Sequence, residues 1–311
     1  MITKKLKYSI GAGILFIAAL TGIKYCENGT SLERKPMNNT FINNQVELSP
    51  VNLSNIQETT DISEWSMIED ENISKFLSGN YESFFSIPTK AFKIITLSNI
   101  SEGLVNIAEQ FPERKEQVSK ELEDVINLAQ NLEISPYEAP LNEIEDLDLH
   151  GLYLSHLNVI LGNYHQVAEN NKYFTTNKTI SDHLTDGLLK DEQKHFRSFY
   201  NVNRKWPADQ AALLYSLYLF DQNFGTNISE RPIKEWFDYM DNHGTDGNTG
   251  LYYSEVTNGS KFAKIPRGCA MSWSIIYISE FAPEKAEELW TNYKEHFLKD
   301  FGVFAGFREV P

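Results

Sequence analysis

"RKWPADQAALLYSLYLFDQNFGT" (residues 204–226) decides how this chain folds. Pro207 suits a first helical turn, where the missing N–H would have no intrahelical partner. From Ala208 to Phe220 almost every residue is apolar or aromatic. A helix that is hydrophobic all round is buried all round. Asp209 is the exception, a single carboxylate on the first turn. The helix dipole and free N–H groups favour a carboxylate there. The same position suits an acid at the rim of a pocket.

Two other stretches have the same character: "LHGLYLSHLNVILGNY" (149–164) and "RGCAMSWSIIYISEF" (267–281). Helices of a second kind alternate with them. In 114–132, Val118, Leu122, Val125, Ile126, Ala129 and Leu132 form one apolar stripe. Ile233, Trp236, Phe237 and Met240 do so in 228–240, and Ala286, Leu289, Trp290, Tyr293 and Phe297 in 283–301. This is the i, i+3, i+4, i+7 spacing of a helix with one wet face. Pro88, Asp148, Pro207 and Pro266 stand at the starts of the apolar helices, at steps of about 59–60 residues. A fixed period of that size signals a repeat. Each unit is an inner buried helix, a short link, an outer amphipathic helix and a longer loop back. In 251–265, "LYYSEV" and "KFAKI" flank "TNGS" and predict a β-hairpin.

The hairpin period, with "WPADQAALLYSLYLFDQNFGT", "DGNTGLYYSE" and "RGCAMSW", resembles the six-hairpin α/α toroid superfamily over about residues 85–311. That superfamily includes glycoside hydrolases, polysaccharide lyases, sugar epimerases and relatives acting on terpenoids. The resemblance implies an all-α fold whose inner helices converge on one mouth. Four hairpins are counted where the superfamily has six. The expectation is an incomplete toroid, truncated relative to that family. Fold alone does not assign function.

The repeat register puts His150, Asp209 and Gly268 at one level of such a mouth, with Tyr153, Trp206 and Arg267 nearby. The feeding loop "FRSFYNVNRKW" (196–206) adds Tyr200. Asp209 and His150 are the candidate acid and base. Trp206, Tyr153 and Tyr200 are candidate ring-stacking residues. Arg267 would grip a substrate carboxylate or pair with Asp209. His156 reads as a hydrogen-bonded core histidine, Cys269 as a small buried filler and Asp246 as a turn former. Arg308 and Glu309 reach the mouth if the tail folds back. The expected activity is cleavage or epimerisation of a saccharide. The alternatives are a non-catalytic helical-repeat binding module and a terpenoid-type enzyme.

The net charge of −15 and the lack of a basic stripe argue against nucleic-acid partners. Neutral or cationic small molecules remain compatible. Two cysteines, Cys26 and Cys269, make no disulfide framework. No Cys/His cluster suggests zinc, and no nucleotide, α/β-hydrolase or zinc-protease motif occurs, so no metal or cofactor is expected.

At the N-terminus, Lys4, Lys5 and Lys7 precede an uncharged run from Tyr8 to Ile23. This is the layout of a signal segment or short membrane anchor. Residues 1–26 are expected to anchor the protein with the rest outside the cytoplasm, or to be cleaved to release it. Residues 27–62 are rich in Asn, Thr and Ser and read as a flexible tether. Residues 63–311 form the helical domain.

Overall fold

The computed structural model describes residues 90–130, 150–198, 204–261, 263–300 and 305–311. The segments expected as anchor (1–26) and tether (27–62), together with Pro88 and Asp148, lie outside the described residues. Among the described residues no helix is long and apolar enough to cross a membrane.

Among the described residues eight helices form four consecutive pairs. The inner helices are α1 (Lys90–Gln110), α3 (Gly151–Ala168), α5 (Pro207–Phe224) and α7 (Gly268–Phe281). The outer helices are α2 (Lys115–Ala129), α4 (Phe174–Lys190), α6 (Glu230–Tyr239) and α8 (Pro283–Phe297). Each inner helix packs on its own outer partner, and consecutive inner helices pack on one another. This is an all-α arrangement consistent with a helical repeat.

Burial follows the two sequence patterns. Every residue of α3 except His165, Gln166 and Ala168 is buried. On α2 only the predicted stripe is buried: Val118, Leu122, Val125, Ile126 and Ala129. On α8, Ala286, Leu289, Tyr293 and Phe297 face inwards. Trp236 of α6 is fully buried, while Ile233 and Phe237 are half-buried. Helix α5 begins at Pro207 as expected; α7 begins at Gly268, two residues beyond Pro266.

Short links close the pairs. Gly225 ends α5 at φ 65°, and its N–H donates to the Asp221 carbonyl at 2.8 Å. A left-handed residue just past a helix end favours glycine. The Asp221 carboxylate then accepts from the N–H groups of Ile228 (2.9 Å) and Ser229 (2.8 Å), at the entry to α6. One aspartate thus ties the end of one helix to the start of the next. Beyond α6 the chain makes a single π turn, Met240–Gly244.

Hydrogen bonds fix the inner helices in parallel register. Asn158 Nδ2 donates to Ser216 Oγ (3.2 Å), Asn223 Nδ2 to the Gly162 carbonyl (2.9 Å) and Asn163 Nδ2 to Ser101 Oγ (2.9 Å). The partners are 58, 61 and 62 residues apart. The sequence period therefore reappears as the offset between neighbouring inner helices. The row is also curved. Tyr215 of α5 donates its hydroxyl to Glu102 of α1 at 3.0 Å. In a flat row α3 would stand between them. They meet only if the row bends, with its concave side towards these side chains.

Two helix starts are closed by returning chain. The N–H groups of Gly151 and Leu152 donate to the carbonyls of Arg197 (3.0 Å) and Ser198 (3.1 Å). The Gly268 N–H donates to the Glu309 carbonyl at 2.9 Å. A Cβ on Gly151 would overlap the Arg197 carbonyl oxygen, and one on Gly268 the Arg308 carbonyl oxygen. Close backbone approach is what requires glycine at both positions.

The expected β-hairpin at 251–265 is corrected. Its described residues form a loop, with one isolated bridge between Thr245 and Tyr252. The Glu255 carboxylate gathers Thr257 Oγ1 (2.6 Å), the Gly259 N–H (2.8 Å) and Ser260 Oγ (2.5 Å). The Ser254 N–H meets the Ile265 carbonyl at 3.0 Å, and within that closure the backbone wraps around the carboxylate without forming a strand. The small antiparallel sheet lies in the tail, where Leu298–Asp300 pairs with Ala305–Phe307. It turns the chain back towards the start of α7.

Candidate functional site

The concave side of the inner row carries a polar and aromatic cluster. Asp209 sits on the first turn of α5 and is half-buried. Desolvation pushes its carboxyl pKa up to about 6, and the Ser198 hydroxyl holds that rise back. Its Oδ2 is buried and has no hydrogen-bond partner. Tyr277 of α7 lies close enough for the Asp209 charge to raise the phenol pKa, after desolvation and the charge of Glu102. Tyr277 stacks on Tyr215 with ring centroids 5.8 Å apart.

Glu102 on α1 is the second carboxyl of the cluster. Desolvation raises it to about 7 against hydrogen bonds from Asn163 and Tyr215, and the charges of Glu280 and Glu109 raise it further. Asn163 Nδ2 lies 3.0 Å from Glu102 Oε1. His156 of α3 stands edge-on to Tyr277 with centroids 6.0 Å apart. Burial pushes its imidazole down to about 3, so it is neutral at ordinary pH. Its Nδ1 has no partner. Four inner helices thus contribute to one cluster: two carboxyls poised near neutrality, a neutral imidazole and two phenols. Carboxyls so shifted exchange protons readily between pH 6 and 7.

The residues singled out in the sequence fall in different places. His150 is the N-cap of α3 and is at the edge of burial. Trp206 is the N-cap of α5 and half-buried. Tyr153 is completely buried, and its hydroxyl donates to the Ala129 carbonyl of α2 at 3.1 Å. Its ring belongs to the packing between layers and offers no face to a ligand. Arg267 pairs with Glu309, Nε to Oε1 at 2.7 Å, rather than with Asp209. The tail does fold back, and the Cys269 N–H also donates to Glu309 at 3.1 Å. Cys269 is half-buried, with its thiol 3.1 Å from Glu309 Oε1. Tyr200 lies outside the described residues. Asp246 performs turn duty, accepting from the Thr249 N–H at 3.0 Å and its hydroxyl at 2.9 Å. His156 is buried as expected, yet lacks the Nδ1 hydrogen bond of a satisfied core histidine.

Sequence reasoning missed Glu102, Asn163, Tyr215 and Tyr277. A usable signal was present. Glu102 and Asn163 are 61 residues apart, one repeat period. Extending the register below the first turn of each helix brings them together.

Among the described residues no group of three or more His, Cys, Asp or Glu side chains is arranged to hold a metal ion. Outside the cluster, the buried His195 is structural. It accepts from Trp236 Nε1 at Nε2 (3.2 Å) and contacts the Gln193 carbonyl through Nδ1 (2.6 Å). No family model matches the chain, and a search of curated proteins finds no match.

Proposed function

We propose that this chain is an acid/base enzyme acting on a hydroxyl-bearing small molecule of the saccharide class. The reaction is cleavage or epimerisation, on the concave side of an incomplete α/α toroid. Asp209 is the proton-transfer group, and neutral His156 lies on the same cluster. The observation that carries this is the unpartnered Oδ2 of a desolvated Asp209, beside Tyr277, with a second raised carboxyl on the same cluster. Perturbed carboxyls that share a concave surface mark functional sites more often than solvated ones do. His150, Trp206 and Arg267 would line the rim at the helix starts. The N-terminal segment would hold the domain at a membrane on the extracytoplasmic side, and its sequence layout is the support for that.

The test is turnover of a panel of neutral oligosaccharides by the full chain, with products followed by NMR. Asp209→Asn is expected to lower kcat by about 10²–10⁴-fold, the usual share of a general acid or base. Unchanged turnover in that variant would sink the proposal.

One observation favours a non-catalytic binding module as the second reading. Asn163 and Tyr215 both donate to Glu102 Oε1, as in a polar network that merely fixes packing. Under that reading the panel yields ligands but no products.

A further inference from the structure

The unfilled hydrogen-bonding capacity of the concave cluster is unevenly distributed. Asn163 is fully buried, and its Oδ1 has no partner while its Nδ2 is used twice, by Ser101 and Glu102. Asp209 Oδ2 is also unpartnered. Both are acceptors. His156 Nδ1 is buried without a partner, on an imidazole that is 1% exposed. A buried polar atom left unpaired destabilises by about 1–3 kcal/mol, so such atoms usually meet a ligand or water.

The charges that raise Glu102 come from other carboxylates, Glu280 and Glu109. Asp209 and Glu102 both act on Tyr277. Two basic side chains near the helix starts are paired with other acids: Arg267 with Glu309, Lys205 with Asp191. Glu109 and Glu280 lie in the last turns of α1 and α7. Helix C-termini carry partial negative charge and add to the same field. The stacked pair Tyr215–Tyr277 presents aromatic faces beside these carboxyls. Aromatic faces attract a desolvated cation.

We infer that the Glu102 end of the site is a cation subsite, taking a substrate that carries a protonated amine, such as an amino-bearing saccharide. This rests on the saccharide reading above and gives it a substrate class. An ammonium group has three N–H donors and no acceptor. It would donate to Glu102 and to Asn163 Oδ1, lie against the Tyr215–Tyr277 pair, and leave the sugar ring towards Asp209. Glu280 is exposed on α7 and guides the charge in from the helix C-terminal side. Glu102 serves as an anchor here, and Asp209 keeps the proton transfer.

The experiment is calorimetric titration of the full chain at pH 6.5 with glucosamine, glucose, glucuronate and methylammonium. Glucosamine is expected to bind at least tenfold tighter than glucose, and glucuronate not at all. Its binding should release a proton, because the raised Glu102 must ionise to meet the ammonium. Titration in buffers of different ionisation enthalpy reads that proton. Glu102→Gln should abolish the tenfold preference and the proton release, with thermal melting confirming a folded chain. Glu280→Gln, a change at an exposed position, should reduce the preference two- to threefold in a chain whose melting shows it folded. Equal binding of glucosamine and glucose overturns the cation subsite and leaves the saccharide reading standing. Binding of methylammonium with no binding of any sugar overturns the saccharide reading and keeps the cation subsite. Binding of none of the four overturns both.

Discussion

The starts of α3 and α7 are built alike and end differently. At each, the first helical residue is a glycine pressed against returning backbone, and the returning segment reads Phe-Arg-x: Phe196-Arg197-Ser198 in one, Phe307-Arg308-Glu309 in the other. The third position carries the difference. Glu309 fills its helix start with a carboxylate that binds Arg267 and the Cys269 N–H. Ser198 offers only a hydroxyl, and the neighbouring Asp209 is left desolvated with one oxygen unpaired. The same backbone closure thus seals one helix start and leaves chemical capacity at the other.

The largest expected break in that comparison is Gly151→Ala. The new methyl meets the Arg197 carbonyl and the buried Phe196 ring together. Overpacking of a filled site costs about 1–3 kcal/mol, and this variant should lie at the upper end in denaturant melts. Gly268→Ala should lie at the lower end, because the Arg308 backbone that it strikes lies in an exposed segment and yields more easily than Arg197, which is flanked by buried Phe196 and Ser198. Equal losses would show that the two closures are equally rigid.

Glu309→Ala comes next. It removes a helix-start acceptor and leaves Arg267 without this partner. A loss of about 1 kcal/mol is expected, in the range of lost N-terminal caps. Ser198→Ala should cost less, a few tenths of a kcal/mol, and should act on function instead. Without the hydroxyl, the Asp209 pKa rises further, and the acidic limb of the pH–rate profile moves upward. An unmoved profile would disconnect Ser198 from Asp209.

The last test is a change of slope with pH. Because folding raises the Asp209 pKa from 3.8 to about 6, the folded state holds its proton more tightly. The associated stability is complete below about pH 4 and is lost as pH rises through 6. Glu102 acts in the same direction, up to about pH 7. His156 and His195, depressed to about 3 and 4, act in the opposite sense: their stability is present above 6.5 and is lost as pH falls through the folded values. Asp209→Asn should therefore raise Tm at pH 8 relative to wild type and leave the two curves closest near pH 4.

The inner and outer helices were legible because burial is written locally, in runs and stripes of apolar residues. The Asp246 turn was legible for the same reason. The β-hairpin was misread because "LYYSEV" has strand composition, while the conformation of its loop is set by Glu255 collecting three donors. The candidate site was half legible. Asp209 stands out on its own helix, but its partners do not. Glu102 meets Tyr215 across 113 residues, and no local pattern reports the curvature that joins them. The Arg267–Glu309 pair is not legible near Arg267 because the return of the tail depends on a strand pairing between 298–300 and 305–307.

The Asn158 network has a consequence for assembly. Its amide meets Ser181 Oγ (2.9 Å) and Ser216 Oγ (3.2 Å), and Asn177 donates to Asn158 Oδ1 (2.6 Å), all in a buried layer of otherwise oily helices. Helices this apolar would tolerate sliding past one another by a turn, since leucine meets leucine either way. A slip would strand two carboxamides without mates. The network therefore works as an indexing pin between interchangeable-looking parts, and it rejects misassembled neighbours that greasy packing alone would accept.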